Sequence, residues 1–177
     1  MDDLLADIRH EFRRHKVMAD RAMAELDDGD FFRRPGDAVN PVALIVKHLA
    51  GNMASRWADF KTSDGEKPTR DRDGEFVLKD EDSRENLMAA WERGWETLFD
   101  ALDGLTDADM AITVTIRGEA HSARQALLRG MSHVAYHTGQ ILYLVRLLRP
   151  ESTWQTIPPG RSRSVPGGYR RPQELGG

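Results

Sequence analysis

The stretch HVAYHTGQILYLV, residues 133–145, sets two imidazoles one helical turn apart, His133 and His137, with Gln140 just beyond them. A helix turns about 100° per residue, so these two side chains project together, and Ile141, Leu144 and Leu148 continue the same stripe. That stripe is apolar. Imidazoles placed on it point into the protein, where a neutral ring needs hydrogen-bond partners or a metal ion. A third histidine, His48, falls on the stripe Leu44, Ile45, His48, Asn52 of another predicted helix. Two ligands from one helix and one from a facing helix make a three-imidazole set. Such a set leaves a divalent ion its full charge and an open position, as catalytic sites require.

The alternative for the same three residues is a core position satisfied by backbone or side-chain partners. The HxxxH spacing also lacks the glutamate that follows the first histidine in metalloprotease helices, since Val134 and Ala135 fill the gap, which argues against peptide hydrolysis by that route. Gln140, Asn52 and His15 are candidates to support the ligands. His15 lies on an inward stripe of its own, and nothing in its spacing ties it to the other three, so a buried hydrogen-bonded histidine is its simpler role. His10 and His121 fall off the apolar stripes and read as surface or loop residues. Lys47 points to a different face from His48 and reads as solvated.

Four long helices are needed to position these groups. The first runs from about residue 3 to residue 27, with Leu5, Ile8, Phe12, His15, Ala19, Ala22 and Leu26 at alternating steps of three and four; Asp28-Gly29-Asp30 ends it. The second opens at Asn40-Pro41, an N-cap residue followed by proline at the first helical position. Residues 61–76, KTSDGEKPTRDRDGEF, read as a long surface connection of the kind that often carries function. The third helix begins near Asp82 or Ser83, where Asp82 and Glu85 have capping-box spacing, buries Leu87, Trp91, Trp95, Leu98 and Leu102, and stops at Gly104. ITVTIRGEAHS then alternates apolar and polar around an Arg117-Gly118 turn, a short β-ribbon. Ser122 and Gln125 form a second capping box, which opens a helix that Pro150 stops. Trp91 and Trp95 read as core anchors, whereas Trp57 and Trp154 lie near helix ends and suit a pocket or an oligomer contact.

At 177 residues, with no cysteine and a formal charge of −4, the chain reads as one domain without disulfides or thiolate metal sites. Its acidic balance argues against nucleic acid as partner. The longest apolar run is far too short to span a bilayer and the acidic start is unlike a signal peptide, so the expectation is a cytoplasmic protein that does not enter membranes. We divide the chain into a helical domain, 1–150, and an extended Pro/Gly/Arg-rich tail, 151–177, whose Arg161, Arg163, Arg170 and Arg171 read as a solvated cluster.

Four motifs in order, NPVALIVKHLAGNMASRW, TSDGEKP-x-R-x-RDGEF, TIRGE and HVAYHTGQILYLVRLL, resemble the DinB-like superfamily, in particular its branch of uncharacterised DinB-related proteins. The likeness extends up to the IPPGRS stretch. It implies an all-α fold, a four-helix bundle in an up-down-down-up arrangement with the ribbon before the last helix. It also implies a homodimer and a divalent metal, zinc or nickel foremost, on the matching positions His48, His133 and His137. Characterised relatives include thiol S-transferases that use bacillithiol and isomerases that use mycothiol. The resemblance maps no substrate-binding residue beyond the histidines. Asp64, Glu66, Lys67, Arg70, Arg72 and Asp73 of the loop, with Arg117 and Glu119 of the ribbon, either rim a pocket or tie the loop to the helices.

Three functions follow as expectations. The first is a metal-dependent enzyme that activates a low-molecular-weight thiol for attack on an electrophile, in stress or detoxification chemistry. A hydrolase that activates water is the second, with Glu11 as a candidate base, though that glutamate also reads as a solvated surface residue. The third is a non-catalytic metal-binding or interaction bundle. Protein purified without an affinity tag should carry about one divalent ion per chain, and His133→Ala or His137→Ala should remove it while the helical circular dichroism survives. Equal trace metal in wild type and both variants would return the histidines to a purely structural role.

Overall fold

The computed structural model describes residues 4–164, so Arg170 and Arg171 of the expected basic cluster lie outside the described residues. Five α-helices dominate it: α1 (Leu4–Met23), α2 (Asp28–Phe32), α3 (Val42–Trp57), α4 (Arg84–Asp103) and α5 (Ala123–Leu148). Two short strands, β1 (Thr113–Ile116) and β2 (Glu119–Ser122), pair antiparallel with Val114 opposite His121. None of the described helices is long and apolar enough to cross a membrane.

Local chemistry sets most boundaries. Ser122 accepts from the Gln125 amide while Gln125 accepts from the Ser122 amide, so α5 starts at the residue where the ribbon ends. Arg117 and Gly118 both take positive φ, the tight turn that a two-residue hairpin needs. The Asp64 carboxylate receives both of their amides, which pins the 61–76 loop to the ribbon. Gly104 caps α4 as its sequence position predicts.

Other boundaries differ from expectation for equally local reasons. Asp28-Gly29-Asp30 does not merely end a helix: Asp27 accepts the Asp30 amide and starts α2. Pro41, not Asn40, occupies the N-cap position of α3, without a side-chain cap. Ser83 caps α4, because Asp82 is engaged 2.6 Å from Lys47; that lysine is therefore paired and mostly covered rather than solvated. His10 is 1 % exposed, since α1 packs against both α5 and α4 and so buries a wider arc than one stripe.

Packing between α3, α4 and α5 places the site. Trp91 and Trp95 are fully buried as core anchors, and Phe12 meets the edges of Trp57 and Trp95. Backbone approach is close where residues are small: a Cβ on Gly94 would lie 3.2 Å from the Ala50 carbonyl. Trp57, although near a helix end, is buried against α5, where a Cβ on Gly130 would come within 2.5 Å of its ring. Beyond α5, Thr153 and Gln155 bond the Glu25 carboxylate, so the start of the tail lies on the α1 side, while Arg161 and Arg163 are exposed.

These contacts give a paired test. Gly130→Ala should destabilise by about 1–3 kcal/mol because the Trp57 ring must shift. Gly139→Ala, on the same helix with nothing near its Cβ position, should gain about 0.5–1 kcal/mol. Urea denaturation giving the two substitutions the same sign would contradict the packing of Trp57 on α5.

A candidate metal centre between α3 and α5

His48 on α3 and His133 and His137 on α5 present one ring nitrogen each, all within 4.8 Å of one another. His48 and His137 are buried and His133 is half-buried. The Nε2 atoms of His48 and His133 face each other at 3.2 Å, and the His137 Nε2 is enclosed with no hydrogen-bond partner. An enclosed nitrogen without a partner is costly unless something takes its lone pair, and three imidazole edges within 4.8 Å of one another suit a divalent ion.

The far edge of each buried ring is held. His48 Nδ1 lies 2.8 Å from Glu75 Oε2, and His137 Nδ1 lies 2.7 Å from Gln140 Oε1. A carboxylate and an amide oxygen only accept, so both Nδ1 atoms carry the proton and both Nε2 atoms present lone pairs. Gln140 is thus brought to His137. Asn52 faces the same seam one turn after His48 but makes no hydrogen bond to a described residue. His15 is not brought to the cluster: its polar neighbour is Glu11, 4.0 Å away on its own helix. His121 sits half-buried on β2, with Nδ1 on the Glu119 carbonyl.

Electrostatics keeps the two α5 rings neutral. Burial lowers the His133 pKa to about 3, assisted by repulsion from His137, His48, Arg56 and Arg70. Burial likewise lowers His137 to about 4, against the hydrogen bond to Gln140, which raises it. Neutral imidazole, the form that ligates metals, is therefore the form present at neutral pH.

Glu75 is the residue that sequence reading missed. A short 3₁₀ turn, Gly74–Phe76, carries it inward to 6 % exposure and lays the Phe76 ring 4.6 Å from the His48 ring. Burial pushes its carboxyl pKa up, but hydrogen bonds from His48 and Arg70 outweigh this and hold it below the usual range. Arg70 donates to both Glu75 oxygens, at 2.7 and 2.8 Å, and to Glu66 at 2.9 Å. The charged loop residues thus divide: Arg70 supports the centre, whereas Asp64 and Lys67 tie the loop to the ribbon and to α3. Gly51 was the available signal. A Cβ there would lie 2.4 Å from Glu75 Oε1, so a glycine inside a helix, ordinarily a loss, is what admits the carboxylate. Glu75 also forms part of the wall of a cleft of about 740 Å³ between α3, α4 and the loop, whose lining includes none of the three histidines.

Glu75→Gln should weaken metal binding by roughly 10–100-fold, and Gly51→Ala should act the same way by displacing the carboxylate. Competition with a chromophoric chelator measures both. Wild-type affinity in both variants would remove Glu75 from the site.

No curated protein matches the chain. A family profile does, over residues 1–162 of 177. With the histidines, Glu75 and the ribbon all inside the matched region, the chain belongs to the family described as "Protein of unknown function (DUF1572)".

Proposed function

We propose that this chain is a metal-dependent enzyme of the DinB-like superfamily, a four-helix bundle in the up-down-down-up arrangement, that activates a low-molecular-weight thiol for transfer to an electrophile. The observation that carries the reading is the convergence of three imidazole edges within 4.8 Å of one another, with a buried carboxylate behind one of them. A divalent ion, zinc or nickel, held by His48, His133 and His137 would lower the pKa of a thiol and favour the reactive thiolate near neutral pH. The chain's own residues orient and enclose. Glu75 and Phe76 fix the edge and face of the His48 ring, Gln140 fixes His137, and Tyr136, half-exposed with its ring 4.3 Å from that of His137, forms the rim.

The carboxylates favour thiol over water activation. A hydrolase that takes its base from a carboxylate finds none free here, since Glu75 is committed to His48 and Arg70. Glu11 is bonded to Arg14 of its own helix at 2.9 Å. The chain has no cysteine, so the reacting sulfur comes from outside. The same reading takes the protein as a cytoplasmic homodimer in stress or detoxification chemistry, and the exposed Tyr143 and Leu147 on α5 support an apolar contact between copies.

Cobalt(II)-substituted protein titrated in turn with bacillithiol, mycothiol, glutathione and coenzyme A should develop a saturable near-ultraviolet sulfur-to-cobalt band with one of them, absent from His48→Ala protein. Loaded protein that binds azide but none of these thiols at millimolar concentration would defeat thiol activation and leave water activation or a non-catalytic role.

A further inference from the structure

Arg56, in the last turn of α3, is 8 % exposed, yet its guanidinium makes no hydrogen bond or ion pair with any described residue, and its Nε is fully enclosed. A guanidinium cannot shed its charge, and buried charges are ordinarily paired. Its neighbours aggravate the problem. Burial, and then repulsion from Arg129, Arg70 and Arg117, lowers its pKa to about 10, with Glu66 the opposing carboxylate. Arg70 is satisfied by Glu75 and Glu66, and Arg117 lies 3.4 Å from Glu66. Arg129 instead meets a ring nitrogen of His121 at 3.2 Å. Of the four cations, Arg56 and Arg129 therefore have no carboxylate among the described residues.

Their position links them to the histidines. His48, Asn52 and Arg56 stand on successive turns of α3, and Arg129, His133 and His137 on successive turns of α5. The packing of Trp57 against Gly130 sets the register, with Arg56 and Arg129 as the respective sequence neighbours of that pair. Asn52, 9 % exposed, is a second covered polar side chain without a hydrogen bond to a described residue. The loop fixes the Arg56 stem from above: a Cβ on Gly65 would lie 3.1 Å from its Cδ and 3.3 Å from its Nε. A polar strip thus runs along the α3–α5 seam from the imidazoles, past Asn52, to two uncompensated cations.

We propose that the substrate of the three-histidine site is an anion whose carboxylate or phosphate group is held by Arg56 and Arg129, with Asn52 bonding its polar body and its reacting atom at the imidazoles. The reaction rests on the catalytic reading above; the binding does not. Planar carboxylates and tetrahedral phosphates both match the guanidinium fork. On the thiol reading, the sulfur compound or its acceptor is the anionic partner.

The test uses the full chain stripped of metal by chelation, so that oxyanions cannot bind an ion, at pH 7.5, where His133 and His137 are neutral. Calorimetric titration with succinate and with inorganic phosphate should show saturable binding of at least one, which assigns the carboxylate or the phosphate chemistry. Arg56→Gln should weaken it by about tenfold or more while keeping the metal stoichiometry of wild type. Arg129→Gln, at an exposed position that does not threaten folding, should weaken it in the same direction. Failure of both anions to bind wild type, or unchanged affinity in the Arg129→Gln variant, overturns the proposal. So does an Arg56→Gln protein that loses its metal together with the anion, since that marks Arg56 as structural. Because no metal is present in the titration, its outcome and that of the cobalt–thiol experiment are independent.

Discussion

Glu75 can sit at 6 % exposure only because Arg70 donates to both of its oxygens and His48 to one of them. A carboxylate taken out of water loses several kcal/mol of hydration, and recovers it only where charge-assisted hydrogen bonds occupy its lone pairs. That three-way contact is the constraint around which the centre is arranged. It requires a loop long enough to bring Arg70 and Glu75 together over α3, a gap in α3 at Gly51, and an imidazole oriented to donate. Removing Arg70 would leave the buried Glu75 charge without its cation, a loss of about 3–5 kcal/mol.

The loop is accordingly built as a scaffold. Ser55 of α3 donates to the Gly65 carbonyl and accepts the Lys67 amide, and Asp64 takes two amides from the ribbon turn. The ribbon in turn leads directly into α5, so the loop, β1–β2 and the first turn of α5 form one continuous support for the three ligands. This arrangement explains a short two-stranded sheet in an otherwise helical chain: it carries the loop that carries the carboxylate.

What the sequence disclosed and what it concealed divide along sequence separation. The ribbon, the Ser122–Gln125 cap and the Gly104 stop are fixed by residues two to four apart, and a reader of the chain sees them directly. The three histidines were legible for a different reason, since imidazoles on apolar stripes demand an explanation wherever they fall. Glu75 was hidden because its burial depends on Arg70, His48 and Gly51 together, and in the sequence it is one acidic residue in a charged stretch. Lys47 and Asp82, 35 residues apart, concealed each other in the same way. His10 escaped notice because one buried stripe is assumed for a helix, whereas α1 has neighbours on two sides. Nothing in the residues around Arg56 announces that the loop at Gly65 closes over its side chain.

The facing nitrogens of His48 and His133 carry a consequence of a different kind. His48 already commits its proton to Glu75, so the proton between the two Nε2 atoms belongs to His133. A divalent ion held by all three Nε2 atoms would need the His133 proton on Nδ1 instead, and because His133 is the half-exposed member of the set, solvent could mediate that exchange.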